Sequence, residues 1–276
     1  MNAEELFRNI QRKKSYLCIG LDTDYQKIPK TLLDSEYPIF EFNRHIIDAT
    51  EDLVVAYKPN IAFYESMGAA GFMSLEMTIN YLRKHYPDIF IIADAKRGDI
   101  GNTSRMYANA YFKTLDCDAI TLSPYMGYDS ISPFLEVRGK WSVILALTSN
   151  DGSKDFQQMK MKDDRYLYEN VISTTSGWGN VNNMMYVVGA TKASELRLIR
   201  KMIPEHFLLV PGIGNQGGEL YDVAEHGMND RCGLLVNASR SILYADVTNK
   251  FENAAREQAL VLQKQMEFSL RNRKLI

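Results

Sequence analysis

The chain has 276 residues, of which 46% are hydrophobic and 24% are charged, so it is long enough to bury one large core without disulfides or a structural metal. Its 32 basic and 34 acidic residues give a net charge of -2, which excludes an overall positive field for nucleic acids or anionic membranes. The chain has neither an apolar run of about 18 residues nor the basic and apolar start of a signal peptide. We therefore expect a cytoplasmic protein that binds neither nucleic acid nor membrane.

Eight short segments are apolar throughout rather than alternating, which is typical of strands buried on both faces of a parallel sheet. They are Tyr16–Leu21, Val54–Lys58, Ile89–Ala93, Ala119–Leu122, Ser142–Leu147, Met184–Val188, Phe207–Val210 and Leu234–Val236. Longer amphipathic segments alternate with them and predict helices. These are Ile39–Asp52, Leu75–His85, Gly101–Leu115, Ser130–Glu136, Arg165–Thr174, Ala193–Met202, Glu219–His226 and Phe251–Phe268.

Eight strand–helix units in strict alternation indicate an α/β protein, either a closed parallel barrel or an open doubly wound sheet. The count of eight and the chain length favour a (β/α)8 TIM barrel that forms a single domain over residues 1–276. A leading helix, Asn2–Lys14, is expected to cover the bottom of the barrel. The polar segment Thr148–Asp164 follows the fifth strand, where a lid over the site and a plain surface loop are equally compatible with the sequence.

The cysteines and histidines argue against a metal site. Cys18, Cys117 and Cys232 are odd in number, far apart and set in apolar surroundings, which predicts reduced, buried thiols. The four histidines lack the spacing of metal ligands, and the chain has no CxxC motif. We therefore do not expect a structural zinc site.

Charged residues stand at the ends of the first three predicted strands. Asp22 follows the first, Lys58 ends the second, and the third is followed by Asp94, Lys96 and Asp99. Asp94 and Lys96 lie two positions apart, so on a regular strand they point to the same side. A lysine between carboxylates stays charged, which makes it a poor amine nucleophile but a good proton donor to a carbanion. The alternative is an ion-pair network that only closes the top of the barrel.

A glycine-rich stretch, VPGIGNQGG at positions 210–218, contains Gly212 and Gly214 and matches the GxGxxG pattern of dinucleotide-binding folds. It follows the seventh strand rather than the first, which opposes that interpretation. In a barrel, the loops after strands seven and eight commonly hold a phosphate, and Arg240 after the eighth strand is placed for such a contact. The glycines are also compatible with simple tight turns.

Ser123 ends the fourth strand and could bind the polar edge of a ring, although a serine before Pro124 also simply stops a strand.

Together these motifs resemble orotidine 5′-phosphate decarboxylases, and the local form DAKRGDIGNTS is similar to the bacterial type 2 branch of that family. The segments GLDTD, YKPNIAFYESMG, TLSPYMG, LVPGIGNQGG and NASRSILYA occur in the family's order and extend the resemblance over nearly the whole chain. The resemblance implies a barrel that dimerises with its sites at the interface. It also implies conversion of orotidine 5′-phosphate to uridine 5′-phosphate and carbon dioxide without metal or cofactor.

The resemblance also implies a role for each matching residue. Lys96 would protonate C6 of the pyrimidine, Asp94 would face the departing carboxylate, and Lys58 would bridge Asp94 and the ribose. Asp99 and Thr103 would enter the site of the partner subunit. The expected substrate contacts are Asp22 with the ribose, Ser123 with the pyrimidine edge, and Gly212, Gly214, Gln216, Ser239 and Arg240 with the phosphate.

Three other functions compete with this interpretation. Sugar-phosphate lyases that share the DxKxxD signature hold magnesium, but Lys58 stands where an additional acid would be needed. A Schiff-base aldolase needs a neutral lysine in an apolar pocket, not one between carboxylates. A catalytically silent sensor of phosphorylated ligands would have no need for intact Asp94, Lys96 and Asp99.

Overall fold

The computed structural model describes residues 1–189, 193–212 and 217–276. Within them, eight parallel strands form a closed barrel in which each strand pairs with the next along the chain and β1 pairs with β8. The strands are β1 Leu17–Leu21, β2 Ala56–Pro59, β3 Phe90–Arg97, β4 Ala119–Leu122, β5 Trp141–Leu147, β6 Met184–Val188, β7 Phe207–Pro211 and β8 Leu234–Ala238. The predicted (β/α)8 barrel is confirmed.

Helices surround the barrel and connect its strands. In the described part of the chain they are α1 Ala3–Lys13, α2 Pro38–Thr50, α3 Ile61–Glu65, α4 Gly68–His85, α5 Gly101–Asn109, α6 Tyr128–Leu135, α7 Leu167–Thr175, α8 Ala193–Met202, α9 Gly217–Gly227, α10 Arg240–Leu243 and α11 Phe251–Asn272. A π-helical turn, Ala110–Thr114, continues α5. None of these helices has both the length and the apolarity that a lipid bilayer span requires.

The strands form where the sequence predicts them because nearly every strand residue is buried, whichever face it points to. At the bottom of the barrel the Trp141 ring meets Phe90 and Phe207 edge-on, with centroids 6.0 and 6.3 Å apart. The indole N–H of Trp141 donates to the carbonyl oxygen of Met1 at 2.7 Å. Since Leu6 of α1 is also fully buried, the leading helix packs where a bottom cover is expected.

Two predicted boundaries differ from the structure in an informative way. Strand β3 does not stop at Ala93 but continues through Asp94 to Arg97, with an irregular register against β4. The polar residues after Ala93 do not end the strand, because β4 continues to pair with it. Helix α4 begins at Gly68, well before the predicted start at Leu75, because small residues there allow the helix to pack closely without an apolar periodicity.

The segment Thr148–Asp164 is held at both of its ends by hydrogen bonds to the side chain and the backbone of Gln157. The backbone N–H of Thr148 donates to Oε1 of Gln157 at 2.7 Å, and the backbone N–H of Tyr168 donates to the Gln157 carbonyl at 2.9 Å. Phe156 and Met159 remain largely exposed. The two alternatives for this loop, a lid over the site and a plain surface loop, both stay predictions.

The three cysteines are buried and free, as expected.

The contact between α3 and α4 gives a test of packing. A β-carbon at Gly71 would lie 1.9 Å from the carbonyl oxygen of Tyr64, which itself accepts the backbone N–H of Met67 at 3.1 Å. We expect Gly71→Ala to lower the free energy of unfolding by about 2 kcal/mol, since the backbone must shift to relieve this overlap. Gly177→Ala is the matched control, because its β-carbon would meet only the Thr174 carbonyl oxygen at 3.8 Å. Equal denaturant midpoints for the two variants would contradict the packing argument.

Candidate active site

One cavity of about 580 Å³ opens at the carboxyl ends of β1, β2, β3, β7 and β8. This is the end of the barrel at which TIM-barrel enzymes hold their substrates. Seven of its nine lining residues have polar or charged side chains, and these include both acids and cations. The lining residues are Asp22, Lys58, Asp94, Pro211, Gly212, Asn237, Ser239, Arg240 and Ser241.

Asp94 is the centre of the charge cluster. The Lys58 ammonium contacts Oδ2 of Asp94 at 2.7 Å, and the Lys96 ammonium contacts Oδ1 at 2.6 Å. The side chains of Lys58 and Asp94 are only 6% and 10% exposed, whereas that of Lys96 is 51% exposed. One ammonium is therefore part of the protein interior, and the other is accessible at the mouth of the barrel.

The two buried charges stabilise each other. Burial by itself would raise the pKa of Asp94, but the ammonium groups of Lys58 and Lys96 outweigh it and lower that pKa to about 2. Burial likewise acts to lower the pKa of Lys58, and the nearby carboxylates of Asp94 and Asp22 more than reverse this, so its pKa is raised. Both groups are consequently ionised at neutral pH.

Lys96 contacts Asp94 as expected, but an irregular backbone places it there. The prediction that regular strand alternation would point both side chains the same way was wrong. Lys96 has a φ of 46°, a left-handed conformation that costs a non-glycine residue about 1 to 3 kcal/mol. Its backbone N–H donates to Oγ1 of Thr121 at 2.9 Å, and the same hydroxyl donates to Oδ1 of Asp94 at 3.0 Å. Thr121 thus fixes both the backbone of Lys96 and the carboxylate that Lys96 contacts.

Two acceptors in the cavity wall have no donor among the described residues. They are Oδ1 of Asp22 and Oδ1 of Asn237, both of which are buried. A buried oxygen without a partner is costly, so such atoms mark places where a ligand can supply a hydrogen bond. The Tyr244 hydroxyl holds the Asp22 segment from below by donating to the Asp22 carbonyl at 2.9 Å.

The far side of the cavity has the features expected of an anion site. Gly212 has a φ of 84°, which favours glycine, and the exposed Arg240 is the first residue of α10 after β8. Ser239 lies so close to β1 that a β-carbon at Gly20 would sit 1.9 Å from its hydroxyl oxygen. Gly214 and Gln216 of the predicted phosphate loop lie outside the described residues.

The remaining predicted residues lie apart from this cavity in their own chain. Asp99 is half-buried, its Oδ1 accepts the N–H of Ile100 at 2.8 Å, and it forms no ion pair with any described residue. Thr103 is exposed on α5. Ser123 is not part of the lining, and its backbone N–H donates to the Arg97 carbonyl at 2.8 Å. Of the five strand-end charges named from the sequence, Lys58, Asp94 and Lys96 are in direct contact, and Asp22 lies near Lys58. Asp99 lies apart from them in its own chain, and its place in the site of a partner subunit stays a prediction.

Sequence reasoning missed Thr121 and Asn237 as site residues. Each is a buried polar side chain within an otherwise apolar strand, and that pattern was the available signal. Ser149 was also missed, although its hydroxyl lies 3.9 Å from where a β-carbon of Gly212 would be. It belongs to a polar loop, which gives no sequence signal of its own.

The barrel has a charged cavity at its carboxyl end, with three strand-end charges in direct contact and an anion anchor opposite them. Such a fold and cavity define an enzyme that acts on a phosphorylated substrate. The comparisons with known proteins agree. The profile of the Orotidine 5′-phosphate decarboxylase / HUMPS family matches residues 15–256, so the chain belongs to that family.

Individual relatives match over the full length. A Porphyromonas gingivalis (strain W83) protein named orotidine 5′-phosphate decarboxylase is 60% identical over 276 residues, which is 100% of both chains. A protein of the same name from Phocaeicola vulgatus is 57% identical and covers 97% of this chain and 98% of its own. The structure of Leishmania donovani OMP decarboxylase superposes with a TM-score of 0.81 at 36% identity, covering 97% and 99% of the two chains.

The Asp94 cluster predicts a pH-dependent contribution to stability. Because the folded state lowers the pKa of Asp94 from 3.8 to about 2, the stability from its ionised form is complete above pH 4 and is lost as the pH falls through 2. This contribution of the Asp94 carboxylate to the free energy of unfolding is about 2 kcal/mol at neutral pH and about half of that at pH 3. We expect the gap in unfolding free energy between wild type and Asp94→Asn to narrow by about 1 kcal/mol from pH 7 to pH 3.

Urea denaturation at the two pH values measures this gap. Asp151→Asn is the control, since Asp151 is a fully exposed carboxylate whose pairing with Lys154 spans 3.7 Å. Surface pairs of this kind contribute little to stability. A gap for Asp94→Asn that stayed constant with pH would contradict the assigned pKa.

Proposed function

We propose that this cavity binds orotidine 5′-phosphate and that Asp94, Lys58 and Lys96 act directly on it. The chain catalyses the decarboxylation of orotidine 5′-phosphate to uridine 5′-phosphate, the reaction for which its relatives are named and the last step of de novo synthesis of that nucleotide. The observation that supports the residue roles is the Asp94 carboxylate held between a buried and an accessible ammonium group.

The reaction breaks the bond between C6 and the carboxylate, and the electron pair stays on C6 as carbon dioxide leaves. The ring cannot delocalise this sp² carbanion, so the enzyme must lower the barrier by about 20 kcal/mol. In the proposal, the Lys96 ammonium lies beside C6, stabilises the developing charge and transfers a proton to it. The exposure of its side chain and its contact with Asp94, which lines the cavity, support this role.

Asp94 takes the position facing the substrate carboxylate. With a pKa of about 2 it is ionised throughout the physiological range, so a second carboxylate placed beside it is repelled. The repulsion falls as carbon dioxide departs, and this difference favours the transition state over bound substrate. Lys58 keeps Asp94 charged and fixed, and it bridges Asp94 to the ribose.

Substrate recognition is assigned to the rest of the cavity. Asp22 accepts a hydrogen bond from a ribose hydroxyl, and the unpaired amide oxygen of Asn237 offers a second acceptor nearby. Arg240, Ser239 and the glycine-rich loop with Gly212, Gly214 and Gln216 take the phosphate, and Ser123 takes the pyrimidine edge. Binding of the phosphate at a distance from C6 provides energy for assembling the reacting groups.

The competing chemistries fit the charge cluster poorly. A magnesium ion needs free carboxylate oxygens, but both oxygens of Asp94 already contact ammonium groups. No three His, Cys, Asp or Glu side chains come together as a metal site within the described residues. A Schiff-base lysine must be neutral to attack, whereas the pKa of Lys58 is raised by the nearby carboxylates of Asp94 and Asp22 despite its burial.

We also propose a cytoplasmic homodimer in which Asp99 and Thr103 complete the site of the partner. Large apolar side chains are exposed on α5 and around the loop after β4, which supports a face covered by a second copy. They include Ile100, Met106, Tyr125, Met126 and Tyr128, with Tyr125 90% exposed. Buried, unpaired thiols suit the reducing conditions of the cytoplasm.

Lys96→Ala tests the proton donor. The wild type should deplete orotidine 5′-phosphate at the same rate with and without a chelator, and Lys96→Ala should reduce turnover to background. Ultraviolet absorbance follows the loss of substrate. Lys140→Ala is a suitable control, because Lys140 is a half-buried lysine paired with Asp116 at 2.6 Å just before β5, at the opposite end of the barrel.

Two results would count against the proposal. Turnover that survives in Lys96→Ala would remove Lys96 as the proton donor. Activity of the wild type that disappears with chelator and returns with magnesium would show metal-dependent chemistry.

Mixing two inactive variants tests the dimer. In a hybrid of Asp99→Ala and Lys96→Ala chains, one site has both an intact Lys96 and an intact Asp99 supplied across the interface. Random exchange should therefore restore about a quarter of wild-type activity. Mixing either variant with the Asp99→Ala/Lys96→Ala double variant should restore none. If native mass spectrometry shows hybrids and no activity returns, Asp99 acts within its own chain.

A further inference from the structure

Arg97 directly follows Lys96, and most of its side chain is covered by the protein. The side chain is 22% exposed and lies over the rings of Tyr107 and Tyr111, 5.3 and 5.8 Å from their centroids. It pairs with the Glu65 carboxylate at the end of α3. It also donates to the Tyr111 hydroxyl at 3.1 Å and to the Ala95 carbonyl at 2.9 Å.

These contacts act on the backbone around Lys96. The carbonyl of Ala95, which belongs to the peptide bond preceding Lys96, is bound by the Arg97 side chain, and the N–H of that same peptide is bound by Thr121. The carbonyl of Arg97 itself accepts the N–H of Ser123 at 2.8 Å. The left-handed conformation of Lys96, with its φ of 46°, is therefore anchored on both sides.

We infer that Arg97 is a positioning residue. It acts through the backbone of Lys96 and holds the Lys96 ammonium at the position where it meets C6 of the substrate. The inference rests on the proposed role of Lys96 as proton donor. Arg97 itself is not among the residues that line the cavity, and its charge is paired with Glu65, so it contributes neither a substrate contact nor a net field there.

The guanidinium suits this task because its planar fork can bind several acceptors at once in fixed directions. Here one side chain connects the Ala95 carbonyl of β3 to Glu65 of α3 and to Tyr111 of the π-helical turn. A proton donor displaced by about 1 Å can lose a factor of about 100 in rate even when the substrate still binds. A change at Arg97 should therefore appear in kcat rather than in KM.

The test compares Arg97→Met with Arg256→Met in the full-length enzyme. Arg256 is a matched control, since it also binds a backbone carbonyl, that of Ala49 at 2.7 Å, and a carboxylate, that of Asp52, but on the outer helices α2 and α11. We expect Arg97→Met to lower kcat by about 10- to 100-fold with KM within about threefold of wild type. Arg256→Met should lose a comparable amount of thermal stability and keep its kcat.

Thermal melts and active-site titration with the product nucleotide express each kcat per folded molecule. An Arg97→Met kcat within about twofold of wild type would overturn the inference, as would a loss confined to KM or to melting temperature. Arg97→Lys keeps the charge but provides only one ammonium for three acceptors, and it should show the same kcat loss if Arg97→Met does not fold. If neither variant folds, Arg97 is a stability residue and the inference is wrong. A wild type without activity would instead contradict the proposed function.

Discussion

The contact of one carboxylate with two ammonium groups determines the organisation of this site. Asp94 is nearly buried, and it is tolerable there because Lys58 and Lys96 each occupy one of its oxygens. The three side chains come from two adjacent strands, so the rigid barrel fixes their separation before any ligand arrives. Catalysis that depends on preorganised charge needs this kind of support, since charges that must reorient during the reaction stabilise it less.

The same site keeps strain in its backbone. Lys96 adopts a left-handed conformation at an irregular point of β3, and the surrounding hydrogen bonds from Thr121 and Arg97 hold it there. A regular strand would place the side chain by alternation alone and would leave its peptide free to bond to β4. Regular pairing with β4 is lost at this position, and the flexible side chain of Lys96 is held in one place.

Much of this could be predicted from sequence, for identifiable reasons. Apolar runs reveal strands buried on both faces, and charge at a strand end is unusual enough to mark Lys58, Asp94 and Lys96. The continuation of β3 beyond Ala93 was not predictable, because it depends on hydrogen bonds from β4. Thr121 and Asn237 escaped notice because a single polar residue in a strand is as often a satisfied core residue as a site residue. Asp99 follows the end of β3 and does not line the cavity of its own chain, and only the resemblance to a family, not the local pattern of residues, predicted that it serves a partner subunit.

The hydroxyl of Tyr244, which follows β8, donates to the carbonyl of Asp22 after β1, so the segments that follow the first and the last strand of the barrel meet beside the cavity. Asn237, Ser239 and Arg240 also come from this final part of the barrel. During synthesis on the ribosome, the cavity stays incomplete until β8 has emerged and paired with β1, because Asn237, Ser239 and Arg240 form part of its wall. The cavity of this protein is therefore completed late in translation, and chains released early would lack part of its wall.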